Sequence, residues 1–316
     1  MILSVSRRTD IPAFYGEWFI NRLTTAEVMV RNPMNARQVT VIPLSPENVD
    51  CIVFWTKNPS DFLQYLDQID SLGYKYYFLF TLNSYDKGIE ENVDYKKKII
   101  QTFQQLSNRI GPERVIWRYD PIILSSRYDL AYHSKGYEYL AKTLAGYTQE
   151  CVISFLDQYK KIESNMRRLD VMTPEFSDIE IIADRLSSIS RQYGMRMSSC
   201  AHKFDLSRYN ISHSKCIDDD LIEKVTGRKI RVKKDPSQRE VCGCVESRDI
   251  GSYNTCQHFC RYCYANCGRD AVRKNIEQYD PHSPLLCDRL KGDEVISKYR
   301  KSKSLIVENE NQQELM

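Results

Sequence analysis

Six short apolar runs recur along the chain, at residues 2–6, 51–56, 76–82, 114–119, 151–156 and 195–200. Each is rich in β-branched or aromatic side chains and lies near a turn signal, the pattern of a buried strand. Between most of them the apolar positions switch to helical spacing. Thr9 or Asp10 can cap a first helix with Pro12 in its opening turn and Phe14, Trp18, Phe19 and Leu23 on one face. Asn58-Pro59-Ser60-Asp61 starts another, with Phe62, Leu66 and Ile69 inward and Gly73 near its stop. Residues 94–109 repeat the theme with Ile99, Ile100, Phe103 and Leu106, and residues 134–145 with Tyr137, Leu140 and Leu144. Thr173-Pro174 opens a further helix, with Ile179, Ile182, Leu186 and Ile189 inward and Gly194 beyond its end.

Strands alternating with helices imply parallel βα units. The simplest arrangement is a six-stranded partial TIM-like (β/α) barrel. Residues 28–31 and 38–42, joined by Asn32-Pro33-Met34-Asn35, break the alternation and read as an inserted β-hairpin. The expected organisation is a barrel core over 1–201, a cysteine-rich segment packed on the barrel mouth over 202–300, and a polar tail over 301–316 that frays.

In such a fold chemistry gathers at the C-terminal ends of the strands. Those ends carry Arg7, Arg8, Thr9 and Asp10, then Lys57 and Asn58, then Thr81 and Asn83, then Arg118, Asp120 and Pro121, with Asp157 and Ser198 to Cys200 after the last two. Asp10, Asn83 and Asp157 read equally well as cap or turn residues. Lys57 and Arg118 sit in apolar, aromatic stretches where a cation needs a partner. Arg7, Arg8, Lys57 and Arg118 converging on one mouth would suit a carboxylate or a phosphate.

Composition adds bounds. With 42% apolar and 28% charged residues and a net charge of +3 over 316 residues, the chain reads as an ordinary globular protein of one large or two smaller domains. Arg7 and Arg8 arrive too early for a secretory leader and no run reaches membrane-spanning length, so a soluble cytoplasmic protein without a membrane partner is expected. The basic stretch 228–234 reads as solvated surface, with nucleic-acid contact as the lesser alternative. Eleven cysteines concentrated toward the C-terminal end read as metal ligands, not as a secreted disulfide framework.

The sharpest motif is Cys256-Gln-His-Phe-Cys260-Arg-Tyr-Cys263. Three thiolates at C-x3-C-x2-C spacing can hold three irons of a cubane and leave the fourth without a protein ligand. Cys242 and Cys244 could complete a second site with Cys200 and Cys216, suited to zinc or another Fe–S cluster. Cys267 lies four residues past Cys263, so on a helix both would face the same way. As a fourth cluster ligand it would make the protein an electron carrier or redox sensor; as a bystander it would leave an iron open. A zinc-stabilised nucleic-acid-binding module is the third reading of these cysteines.

The spacing, and Tyr262 before the last cysteine, resemble the signature of radical S-adenosylmethionine (radical SAM) enzymes. Nearly the whole chain also resembles DUF1848, an uncharacterised bacterial family regarded as radical-SAM-like. The stretches that carry this resemblance are Ser4-Val-Ser-Arg-Arg-Thr-Asp-Ile-Pro, Val53-Phe-Trp-Thr-Lys-Asn-Pro, Arg118-Tyr-Asp-Pro, Cys216-Ile-Asp, Cys242-Gly-Cys, Asp249-Ile-Gly-Ser-Tyr-Asn-Thr-Cys and Tyr262-Cys-Tyr-Ala-Asn. Arg-x-Asp-Pro is also similar to a run in the spore photoproduct lyase-like branch. The resemblance implies a [4Fe–4S] cluster on Cys256, Cys260 and Cys263, shielded by Tyr262. It further implies S-adenosylmethionine as cofactor, an external donor of the flavodoxin or ferredoxin type, and an unassigned substrate. Candidates for contact with cofactor or substrate are Arg7, Arg8, Asp10, Lys57, Asn58, Arg118 and Asp120. The wider superfamily places its cysteines after the first strand, whereas here they follow all six. The Gly-Gly-Glu-type segment that holds the cofactor's amino group is absent, since the chain has no Gly-Gly pair; Thr81, Asn83 or Asp120 could substitute.

Overall fold

The computed structural model describes residues 1–157, 160–200, 203–299 and 305–306. The chain begins with strand β1 (Ile2–Val5), a short helix α1 (Ile11–Phe14) and helix α2 (Gly16–Thr24). The inserted hairpin follows as β2 (Glu27–Asn32) and β3 (Asn35–Pro43), paired antiparallel. Then come β4 (Cys51–Thr56), α3 (Leu66–Ser71), β5 (Tyr76–Thr81), α4 (Lys96–Ile110), β6 (Val115–Ile122) and α5 (Leu130–Leu144). The alternation continues through β7 (Glu150–Phe155), α6 (Glu163–Arg168), α7 (Phe176–Gln192) and β8 (Arg196–Cys200). Beyond it lie β9 (Ile211–Ser214), α8 (Asp219–Thr226), β10 (Arg248–Asp249), α9 (Arg269–Ile276) and β11 (Val295–Lys298).

Eight strands form one sheet in the order β10-β1-β4-β5-β6-β7-β8-β9, every neighbouring pair parallel. The six strands expected from the apolar runs are its centre, in the expected succession. The sheet is open, however, and the expected barrel closure is not seen. The short strands β9 and β10 occupy its two edges, and neither has the apolar signature that would announce a strand. A second, three-stranded sheet joins the hairpin to β11.

Successive strand residues point to opposite faces. On one face Leu3, Val5, Ile52, Phe54, Phe78, Phe80 and Trp117 pack against the helices. Phe54 alone stacks on Phe78 at 4.6 Å and meets the edges of Phe19 and Phe62. On the other face Ile2, Cys51, Val53, Tyr77, Leu79, Ile116 and Val152 are covered by Cys216, Ile217, Ile222, Cys242, Cys244 and Val245. Both faces being buried explains why the strands read as continuous apolar runs. In a closed barrel the second face would be filled by strand side chains converging on one another; here the 216–245 segment fills it.

The helix starts follow capping chemistry. Asp10 accepts from the backbone N–H of Ala13 at 3.0 Å with Pro12 in the first turn of α1. The helix expected from Thr173 begins at Phe176 instead, because Glu175 and Asp178 form a capping box, and Ile179, Ile182, Leu186 and Ile189 are buried. The basic stretch 228–234 lies along the second face, with Ile230 bridging Ile306 and Lys234 bridging Val245. Most of the tail expected to fray lies outside the described residues, but Leu305 packs on this face and accepts from the Arg231 N–H at 2.7 Å. Among the described residues no helix is long and apolar enough to cross a membrane.

Candidate functional site

The C-terminal ends of β1 and β4 to β8 open on a cavity of about 960 Å³. Arg7, Arg8, Asp10, Lys57, Thr81, Arg118 and Asp120 line it, together with Cys256, Cys260, Tyr262 and Cys263 and with Cys200, Cys216, Cys242 and Cys244. Thus both cysteine groups share one chamber with most of the expected strand-end residues. Asn58 and Asn83 do not line it. Asn58 donates to Asp94 at 3.1 Å and accepts from the Ser60 N–H, as a turn residue. Asn83 is a buried strut that accepts from the Asp120 N–H at 2.8 Å and donates to the Glu90 carboxylate, the Asp120 carbonyl and the Tyr262 hydroxyl.

The strand-end charges are mostly paired with one another. Arg118, only 5% exposed, forms an ion pair with Asp120, and its Nη1 lies 2.5 Å from the Cys216 sulfur. Burial opposes ionisation of Asp120, but Arg118 and a hydrogen bond from Ser154 hold its carboxyl below the ordinary value. Lys57 reaches Glu90 at 2.7 Å and stands 5.4 Å over the Tyr262 ring. Burial disfavours the Lys57 charge, yet Glu90 and then Cys260 outweigh it and raise its pKa. Asp10 does more than cap α1: its Oδ2 accepts from the Lys57 N–H at 2.7 Å and meets His258 Nε2 at 2.9 Å. His258 sits between Cys256 and Cys260, and its buried Nδ1 has no hydrogen-bond partner.

Arg7 and Arg8 belong as much to the C-terminal loop as to the cavity. Asp249 in β10 accepts from the Ser4 and Ser6 hydroxyls and from the Arg7 and Gly251 N–H groups, at 2.6–3.0 Å. Arg8 donates to the Gly251 carbonyl at 3.3 Å and lies over Tyr253. Gly251 packs so closely on β1 that an added Cβ would lie 2.6 Å from Ser6 Cβ. Gly251→Ala is therefore expected to cost about 1–3 kcal/mol, measured as a lower urea midpoint, because Ser6 is held in place by Asp249.

Glu90 escapes a reading of motifs because it stands in an ordinary loop sequence, while His258 and Asp249 lie inside quoted motifs whose spacing points to the cysteines and gives these two no role of their own. Glu90 is 2% exposed and accepts from Lys57, Lys96, Asn83 and the Tyr262 hydroxyl. Its sequence signal is no more than an acidic residue after an isoleucine, Gly88-Ile89-Glu90.

The three-cysteine loop is anchored by these contacts. Burial pushes all three thiols up, Cys260 to about 12. Without a cation they are neutral; bound to iron or zinc they would ionise, as metal ligands do. Backbone N–H groups already point at the sulfurs, Ala265 to Cys263 at 3.4 Å and His258 to Cys256. Such donors suit cluster thiolates. Cys267 is exposed, lies outside the cavity lining, and has its N–H bound to Asn254. The other four sulfurs form a row. Cys200 lies 3.3 Å from Cys216, Cys216 contacts Cys244, and Cys244 contacts Cys242. Among the described residues, Asp218, Asp219 and Asp220 are the one trio of potential ligand atoms mutually within 4.8 Å. They serve the start of α8, where Asp218 caps and Lys215 pairs with the other two.

A family model described as a domain of unknown function, DUF1848, matches residues 2–265. The chain belongs to the DUF1848 family. The DUF1848 match takes in the whole eight-stranded sheet and both cysteine groups, and leaves Cys267 outside. No curated protein matches the sequence. A solved structure from Bacteroides thetaiotaomicron VPI-5482, a candidate alpha-L-fucosidase, is 13% identical with a TM-score of 0.24, covering 56% of this chain and 72% of its own. At that score it carries no argument about fold or activity.

Proposed function

We propose that this DUF1848 chain is a radical SAM-like enzyme, with Cys256, Cys260 and Cys263 holding a [4Fe–4S] cluster at the mouth of the cavity. The observation that carries the reading is the shared chamber: three half-buried cysteines and the strand-end cations line one cavity of about 960 Å³, while Cys267 is turned out to solvent. When bound, the cluster and S-adenosylmethionine supply one-electron cleavage of a sulfonium carbon–sulfur bond. The chain's own residues then have definite tasks. Lys57, beside Cys260, offsets thiolate charge, and Glu90 keeps Lys57 in position. Tyr262, its hydroxyl fixed to Glu90, screens the loop from water. Arg7, with one buried Nη2 lacking a partner, is the cation most available to a carboxylate. Thr81 lines the same wall and offers a hydroxyl to the cofactor's amino group.

The test is electron paramagnetic resonance of anaerobically reconstituted, dithionite-reduced protein, with and without S-adenosylmethionine. A cubane signal that shifts on adding the cofactor is the expected result. A cubane signal indifferent to it would mean full protein ligation and an electron carrier; zinc without iron would remove the cluster altogether.

A further inference from the structure

We propose that Cys200, Cys216, Cys242 and Cys244 form a second metal centre, a tetrathiolate site separate from the Cys256–Cys263 loop. Its ligands come from three places distant in sequence: the end of β8, the turn after β9, and a C-x-C loop that returns across the sheet's second face. Nothing about a buried apolar face calls for four thiols in one row. Isolated cysteines such as Cys51 and Cys151, each within a strand, serve there as small apolar side chains. The row instead collects cations and donors. Arg118 Nη1 lies 2.5 Å from Cys216, the Ile217 N–H donates to Cys244 at 3.4 Å, and Arg7 stands close enough to Cys244 and Cys216 to feel their charge. One Arg7 nitrogen is buried and unpartnered.

Charge balance accounts for that company. Four thiolates carry four negative charges once their protons leave. A divalent ion, or a cubane core of charge +2, returns the total to −2. Two guanidiniums face it, Arg118 shared with Asp120 and Arg7 shared with Asp235, so they offset part of that charge. A single tetrahedral ion would draw the row into a cluster, since Zn–S bonds of about 2.3 Å place every sulfur pair about 3.8 Å apart, whereas here Cys200 and Cys216 lie 3.3 Å apart and no three of these sulfurs lie mutually within 4.8 Å. The chemistry common to both occupants is thiolate ligation of a soft metal. The centre fastens the β8–β9 edge to the 242–245 loop and holds Arg118 at the cavity wall. This inference does not rest on the radical reading, because the first cysteine loop is removed in its test.

The test uses the full chain with Cys256, Cys260 and Cys263 all replaced by serine. After chelation under anaerobic conditions, the protein is given cobalt(II) alone, or iron with sulfide. Expected is one cobalt per chain with the intense visible bands of tetrahedral thiolate ligation, or a sulfide-bearing iron chromophore. Adding Cys200→Ser, at the partly exposed end of the row, should weaken uptake at least tenfold while circular dichroism stays native. The proposal is overturned if the triple variant, folded by the same criterion, takes up neither metal. It is equally overturned if Cys200→Ser leaves uptake and spectrum unchanged.

Discussion

Glu90→Gln is expected to destabilise the folded protein by about 3–5 kcal/mol, the usual cost of removing one partner from a buried ion pair. Glutamine preserves the shape and can still bond the Tyr262 hydroxyl and Asn83. It leaves Lys57, 14% exposed, and Lys96 without their counter-charge. Burial by itself would raise the Glu90 pKa, but Lys57 and Lys96 reverse the effect and hold it well below the ordinary range. A carboxyl depressed in the folded state contributes its full stability above its unfolded pKa, about 4.3. That contribution is lost as pH falls from there toward the folded value. Wild type and Glu90→Gln should therefore differ most in urea midpoint at neutral pH, and the gap should narrow steadily below pH of about 4. A constant gap from pH 7 to 3 would mean that Glu90 acts through shape and not through charge.

Cys260→Ala is expected to lose most of the iron of the reconstituted protein and its cubane signal, whereas Cys267→Ala keeps both. Cys260 is half-buried at the cavity wall, bridged to Glu90 and electrostatically coupled to Lys57, so two ligands cannot compensate for it. Cys267 is exposed and tied down only through its backbone. Iron and sulfide per chain, measured beside the spin signal, check the pair. Equal loss in both variants would make Cys267 a ligand and close the open iron on which the proposed function depends.

Much of the scaffold was legible because burial on both faces of a parallel sheet writes itself as unbroken apolar runs. Residues 51–56 read as a strand with the same bounds that β4 shows. The hairpin and the Asp10 cap were legible through local chemistry, Asn-Pro turns and a side-chain acceptor, that needs no tertiary partner. What escaped depends on partners remote in sequence. β10 is an Arg-Asp pair that becomes a strand only because Asp249 finds Ser4, Ser6 and the Arg7 N–H. The open sheet escaped for the same reason: the 216–245 segment supplies Ile217, Ile222 and Val245 to a face that a barrel would have filled from its own strands. Convergence of the strand-end cations could be argued from topology, but not their partners remote in sequence. Arg118 is satisfied by Asp120 and a sulfur, and Lys57 by a glutamate 33 residues away.

The pairing of β10 with β1 also sets a timetable. On the ribosome, β1 can join β4 once residue 56 has emerged, but Asp249 follows 193 residues later (249 − 56). At about 5–20 residues per second, that is a wait on the order of 10–40 s. Throughout it, the outer edge of β1 and one whole apolar face of the sheet are without their cover, the condition in which strands recruit the wrong neighbour. The C-terminal stretch that closes that face also carries most of the cysteines of both proposed centres, so on those proposals metal would enter only after the central strands have been made, and iron or zinc shortage would leave that face waiting longer for its cover.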